Sequence, residues 1–245
     1  MLKLFFIRHT ESIGNAAGRM MGRADDPLTD RGQTQARSLG RALAQQGAHP
    51  QTIYSSPQQR AQETAQLARS AAMAHPATGD RPRPPIITDT HLCEFDNGIF
   101  QGLTWSEARQ QYPELCQKLE NSWEWIPIPQ SETLEAGRSR AQIFLQGLIS
   151  QFIDTNPTET EPQNPDPCLW IITHHWILQH LISEILGSPR TWQISIPHGA
   201  VFELWLDQTR WQTTQELAMG LDDQQRLNHV FWQIHRFNQL LENRD

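Results

Sequence analysis

The feature that most constrains this chain is a set of short apolar runs, each stopping abruptly at side chains able to do chemistry. Residues 2–8 are apolar, contain Phe and Ile, and lead straight into Arg8-His9. Thr52-Ile53-Tyr54-Ser55 leads into Ser56, Pro57 and Arg60, and Cys168-Leu169-Trp170-Ile171-Ile172-Thr173 leads into His174-His175. Ile86 to Leu92 is a further run of this kind. Bounded apolar stretches of roughly four to eight residues are the pattern of strands buried on both faces.

Segments with helical spacing separate these runs. Asp30 to Gln46 carries small and apolar residues at helical intervals and stops at Gly47. Ser56-Pro57 with Gln59 reads as an N-cap, a first-turn proline and a residue three past the cap, opening an Ala-rich helix to about Met73. Thr104 to about Leu119, Glu135 to about Ile153, Trp176 to Leu186 and Asp223 to about Leu241 also read as helices. Ala200–Leu206 and Trp211–Leu217 read as an antiparallel pair, and 74–85 and 156–167 as loops. Strands alternating with helices predict an α/β chain, a mostly parallel sheet covered on both faces. Ligands of such sheets sit beyond the carboxyl ends of the strands. Arg8-His9, Ser55 to Arg60 and His174-His175 all fall there.

Composition narrows the function classes. The 245 residues carry a formal net charge of −7, with 38% hydrophobic and 19% charged side chains. That is globular composition, and an acidic chain is a poor general binder of nucleic acid or anionic membrane. Three widely spaced cysteines, Cys93, Cys116 and Cys168, give neither a disulfide framework nor a metal-binding pair. The short apolar start is interrupted by Arg8 and His9, unlike a signal peptide, and no run reaches membrane-helix length. The expectation is a cytoplasmic protein with no nucleic-acid or membrane partner. His174, His175 and His180 lack the spacing and carboxylate partner of a metal site.

The candidate residues suit phosphate chemistry. Arg8 is a fixed cation and His9 a nucleophile titrating near neutrality. Arg60 lies in the first turn of its helix, near the positive end of the helix dipole. His174 directly follows a buried strand, where an imidazole left unpaired is costly. Glu94, ahead of Gly98 and Gly102, could protonate a leaving oxygen if it stands in a cleft. Several of the nine tryptophans, among them Trp123, Trp125 and Trp192, sit in loop-like stretches and read as packing anchors or as the lining of a substrate groove.

Taken in order, the motifs resemble the histidine phosphatase (phosphoglycerate-mutase-like) superfamily. Arg8-His9-Thr10-Glu11-Ser12 with Asn15 resembles its first signature, and Gly22 to Thr29 with Gly32 and Gln35-Ala36 its second. Ser55-Ser56-Pro57-Gln58-Gln59-Arg60-Ala61 with Thr64-Ala65 resembles the third. Leu92-Cys93-Glu94 with Gly98, Gly102-Leu103-Thr104 and Glu107, then Ser131-Glu132-Thr133 with Arg140, and Ile172-Thr173-His174 complete the series.

The resemblance implies a three-layer αβα sandwich in one domain over 1–245, with about 95–167 forming a helical cap. It implies that His9 is the phosphorylated nucleophile and that Arg8, Arg60 and His174 bind the phosphoryl group, with Asn15 adding a hydrogen bond. Glu94 is then the general acid and later the base. His175, where the family usually has Gly, is a candidate substrate contact. No cofactor or metal is implied, and the partner is a small phosphorylated substrate, with a homodimer left open.

The chain departs from the pattern at Thr10 for Gly, Gln101 for Glu, and His198-Gly199 near a usual Asn or small residue. Mutases of this family carry Trp where Gly14 and Arg23 stand, which favours a phosphatase acting on a small metabolite. A mutase is one alternative. A weakly active regulatory or phosphoprotein-binding member of the same fold is the other.

Overall fold

The computed structural model describes residues 1–153, 166–188, 194–211 and 231–241. Six strands form one sheet: β1 (Leu2–Arg8), β2 (Thr52–Ser55), β3 (Ile86–Thr88), β4 (Cys168–Thr173), β5 (Val201–Leu206) and β6 (Trp232–Gln239), in the order β3-β2-β4-β1-β5-β6. The four strands β3, β2, β4 and β1 run parallel, β5 runs antiparallel to β1, and β6 antiparallel to β5.

Strand alternation sends the two sides of β1 into two cores. Leu2, Leu4 and Phe6 face the layer of α6 (Leu134–Ile153) and α7 (His175–Ile185), meeting Phe144, Leu145, Leu148, Ile177, Leu178 and Leu181. Phe5 and Ile7 face the layer of α2 (Asp30–Gln45) and α3 (Gln59–Met73), meeting Leu39, Leu43, Ala61, Ala65 and Ala68. Each buried Leu, Ile or Phe contributes about 1.5–3 kcal/mol relative to exposure. These two faces explain why β1 and β4 read as continuous apolar runs, and they give the expected three layers.

Within 95–167, α4 (Trp105–Gln111) and α5 (Pro113–Asn121) form a small separate core around Phe100, Ala108 and Cys116, while α6 joins the sheet-covering layer. The predicted single helix over 104–119 is two, because Pro113 cannot donate its amide and Tyr112 leaves helical geometry at φ −133°. Thr104 and Glu107 close a reciprocal capping box at the first of them. In the same way Ser12 and Asn15 cap the one-turn α1 (Ile13–Ala16).

Several expected elements differ. The strand beginning at Ile86 ends at Thr88, since Asp89 caps a 3-10 turn over Thr90–Leu92. α3 starts at Gln59, not at Ser56-Pro57, because the Ser56 hydroxyl pairs with His174 and the Gln59 amide is taken by Asp25. The expected terminal helix is, over Trp232–Gln239, the edge strand β6. Its Trp232, Ile234, Phe237 and neighbours fit a pleated, half-covered surface better than a helical stripe. β5 pairs antiparallel with β6, and most of the expected 211–217 strand lies outside the described residues, as do 154–165, Trp192 and 223–230. Among the described residues no helix is long and apolar enough to cross a membrane.

Close packing of α2 on α3 depends on one glycine. A Cβ at Gly40 would stand 2.0 Å from the Ala68 carbonyl oxygen, whereas a Cβ at the exposed Gly147 of α6 meets nothing within 4 Å. Alanine is the better helix former by about 0.8–1.0 kcal/mol. Urea denaturation is therefore expected to show Gly147→Ala stabilising by about that amount. Gly40→Ala should destabilise by about 1–3 kcal/mol through overpacking.

Candidate active site

Register brings the two central histidines together. Arg8 of β1 pairs with Thr173 of β4, so the next residues, His9 and His174, emerge side by side with ring centroids 4.9 Å apart. The His9 amide is held by the Thr173 carbonyl at 2.8 Å. Strand order puts them at a switch point. β1 connects through α2 on one face to β2, and β4 through α7 on the other face to β5.

His9 is buried and its tautomer is fixed by geometry. Nδ1 lies 2.7 Å from the Thr10 carbonyl oxygen, which can only accept, so Nδ1 carries the proton. The lone pair is left on Nε2, which receives the Nε–H of Arg60 at 3.3 Å. Burial, then His174, Arg60 and Arg8, hold the His9 pKa well below the ordinary imidazole value. The ring is neutral, oriented and basic at Nε2, as a nucleophile must be.

Arg60 is only 2% exposed. Beyond His9, its guanidinium donates to the carbonyls of Gly22 and Ala24, each at 2.8 Å, and to the Asp26 carboxylate at 3.1 Å. Asp26 also accepts the Gly14 amide at 2.7 Å. Arg8 donates to the Ile196 carbonyl, and burial draws its pKa down to about 10, so it stays charged at neutral pH.

His174 is fully buried, with Nε2 2.8 Å from the Ser56 hydroxyl, and burial followed by Arg60 and Arg8 lowers its pKa well below the usual value. Glu94 is buried too. Its carboxylate accepts from the amides of Phe95 at 2.9 Å and Trp176 at 3.1 Å, and its own amide donates to Gln58 Oε1 at 2.7 Å. Burial raises its pKa, against the pull of the Phe95 amide, Arg60, Arg8 and the Trp176 amide.

The structure therefore gathers His9, Arg8, Arg60, His174 and Glu94, the last coupled to both arginines. The other two candidates, Asn15 and His175, have the following partners. Asn15 Oδ1 accepts from the Ser12 amide and hydroxyl in the cap of α1. The His175 ring meets Gln179 at 3.0 Å and hydrogen-bonds the Ile196 carbonyl, which makes it a brace for the loop before β5. Thr10, in place of Gly, sets its hydroxyl 3.2 Å from that of Thr64, which also accepts the Thr10 amide at 3.1 Å.

Three residues with parts in this site were given none from the sequence. Asp26 looked like Asp25 in the motif, yet Asp25 caps α3 while Asp26 pairs with Arg60. Gln58 bridges the Gly22 carbonyl and the Glu94 amide. His198 brings its ring centroid 5.9 Å from that of His9. Only its departure from the family pattern signalled it.

A mostly parallel sheet with arginines and neutral histidines at the carboxyl ends of its central strands defines an α/β enzyme built to handle phosphate. The chain belongs to the histidine phosphatase superfamily (branch 1), whose profile matches residues 4–216, and it is an enzyme of the phosphatase type. It is 30% identical over 188 residues to phosphoserine phosphatase 1 of Hydrogenobacter thermophilus, covering 76% of this chain and 77% of that protein. It is 34% identical over 110 residues to a 2,3-bisphosphoglycerate-dependent phosphoglycerate mutase of Corynebacterium kroppenstedtii, 45% of this chain and 42% of that one. The fold matches the crystal structure of the alpha-ribazole phosphatase from Shigella flexneri with a TM-score of 0.70 at 23% identity, covering 100% of both chains.

The geometry makes a spectroscopic prediction. Ring-labelled protein should show His9 as the neutral Nδ1–H tautomer at pH 6.5, where a free imidazole is half protonated. Nitrogen-15 shifts read this directly, and an imidazolium pattern for His9 at that pH would contradict the arrangement.

Proposed function

We propose that this protein hydrolyses the phosphomonoester of a small metabolite through a phosphohistidine at His9, with no metal in the reaction. One observation carries the reading. A buried histidine kept neutral, with its lone pair on Nε2, shares a site with a buried carboxyl whose pKa is raised. Environments that push two titratable groups in opposite directions mark a nucleophile and an acid.

In the first step the Nε2 lone pair of His9 forms a bond to phosphorus as the bond to the ester oxygen breaks, and Glu94 gives its proton to that oxygen. Arg8 and Arg60 supply the fixed positive charge for the phosphoryl oxygens, with His174 beside them. In the second step a water attacks phosphorus and loses a proton to Glu94 as the N–P bond breaks. Phosphate departs, and His9 and Glu94 return to their starting states. A cytoplasmic setting and a small phosphorylated partner complete the reading, with nucleic acid and membrane given no part.

A phosphoglycerate mutase is the second reading, favoured by the similarity to the Corynebacterium enzyme. There the phosphohistidine passes its phosphoryl group to a second hydroxyl instead of to water.

The test is p-nitrophenyl phosphate hydrolysis in EDTA. Turnover is expected to survive chelation and fall to background in His9→Ala. Activity that needs an added divalent ion, or that persists without His9, would sink the proposal. Release of free phosphate from phosphoglycerate, measured against isomerised phosphoglycerate, separates hydrolase from mutase.

Glu94→Gln gives a finer check. An alkyl phosphate, whose leaving oxygen needs a proton, should lose about 10²- to 10⁴-fold in kcat. The p-nitrophenyl ester, with its stable leaving anion, should lose much less in that step. Wild-type kcat/KM should decline as pH rises through the raised pKa of Glu94, and the variant should lack this limb. Equal losses for both esters would remove Glu94 from the acid role.

A further inference from the structure

An aromatic cluster abuts the proposed acid. Glu94 is held by the amides of Phe95 and Trp176, and the rings of these two residues lie 5.8 Å apart, centroid to centroid. Trp125 closes a triangle with them, 5.9 Å from Phe95 and 5.7 Å from Trp176. Phe95 is buried, whereas Trp125 is 41% exposed and Trp123, two residues away, is fully exposed. The segment bearing both tryptophans is pinned next to Glu94 by the Ile99 amide on the Pro129 carbonyl, 3.1 Å, and the Glu132 amide on the Asp96 carbonyl, 3.0 Å.

The arginines beside Glu132 are already engaged by its carboxylate. Arg140 clasps Glu132 through two hydrogen bonds, 2.6 and 2.7 Å, and two further donors go to the carbonyls of His91 and Cys93. Arg23 also meets Glu132, at 3.4 Å. Glu124 stands between the two tryptophans in sequence. A carboxylate on a leaving group would find these arginines engaged and an acidic side chain close by in the chain.

From this juxtaposition we infer that the alcohol portion of the natural substrate is uncharged and has a flat apolar face, which stacks on Trp125 and Trp176 while Glu94 protonates its oxygen. The inference rests on the phosphomonoesterase reading above. The proton donor must touch the leaving oxygen, so the rest of the alcohol extends from Glu94, and the rings beside Glu94 are what it meets. Offset or edge-to-face aromatic pairs add about 0.5–1.5 kcal/mol beyond their buried area. Ligand sites of this kind are mostly apolar, with a few polar groups that set orientation.

The experiment compares 2-(2-naphthyl)ethyl phosphate with ethyl phosphate. Both release a primary alcohol, so the bond broken is the same and only the body of the leaving group differs. Wild-type kcat/KM should favour the naphthyl ester by roughly tenfold, equivalent to about 1.4 kcal/mol. The preference should fall towards one in Trp125→Ala and largely return in Trp125→Phe, which restores a ring. Trp125 is partly exposed, so its loss leaves the main cores intact. A ratio near one in the wild type, a ratio unmoved by Trp125→Ala, or faster turnover of 3-phosphoglycerate than of the naphthyl ester overturns the inference. So does a Trp125-dependent gain seen only with a phosphopeptide, which would assign the cluster to a protein substrate. Turnover of neither ester, or turnover that survives His9→Ala, removes the phosphatase reading and this inference with it. A flat ratio with His9-dependent turnover removes this inference alone.

Discussion

The buried charge of Arg60 is the constraint around which the rest of the site is arranged. An isolated guanidinium taken out of water is unfavourable by several kcal/mol. The chain offsets this with the Gly22 and Ala24 carbonyls, the Asp26 carboxylate and the His9 lone pair. Each partner fixes a separate segment. The turn at residues 22–26 is bound to the first turn of α3, and the end of β1 is bound to both. Gly22 can make that approach because it adopts φ +50° and because a side chain there would press on Asn97, 3.0 Å away. Asp26 extends the same network to α1 through the Gly14 amide. The glycine and the two aspartates of the second motif thus serve one purpose, the placement of a cation against His9.

That placement also sets protonation. Burial keeps both rings neutral, and the two arginines beside them push in the same direction. For Glu94 burial raises the pKa, against the pull of the Phe95 amide and the same two arginines. The outcome is a neutral base beside a carboxyl whose pKa is raised, with positive charge supplied by Arg8 and Arg60. A phosphate ester brings negative charge into this environment. The net charge of −7 on the whole chain therefore says little about its ligand, because two arginines stand beside the site's histidines.

Legibility in the sequence followed burial. β1, β2 and β4 were plain because strands covered on both faces are apolar throughout, and the residues just past them were plain because polar groups at such positions need a reason. His9, Arg60 and His174 were legible in this way, and Glu94 became so once the motifs were taken in order. β6 was not legible. It is an edge strand with exposed positions along most of its length, and polar residues there are compatible with either period. The start of α3 was misplaced because a Ser-Pro pair is a strong local signal, while the hydroxyl's true partner, His174, is 118 residues away. Asp26, Gln58 and His198 act only through contacts made in three dimensions, and nothing in local spacing separates Asp26 from Asp25.

The antiparallel strand β5 explains how a parallel sheet completes a site that its own strand ends leave open on one side. Chain entering β5 turns at Gly199, where φ +79° suits glycine, and the Gly199 amide reaches the carbonyls of Arg8 and His9 at 3.1 and 3.3 Å. This turn carries the Ile196 carbonyl to Arg8 and the His198 ring to His9. His175, at the start of α7, braces the same loop through Ile196 and through Gln179, which itself holds the Ile194 carbonyl. The bulky residue after the second histidine is thus matched by a loop built around it. Substitutions at 175 and 198 belong to one packing solution, in which the loop before β5 and the first turn of α7 close the β1 side of the cleft. The aromatic segment of Phe95, Trp125 and Trp176 stands beside Glu94.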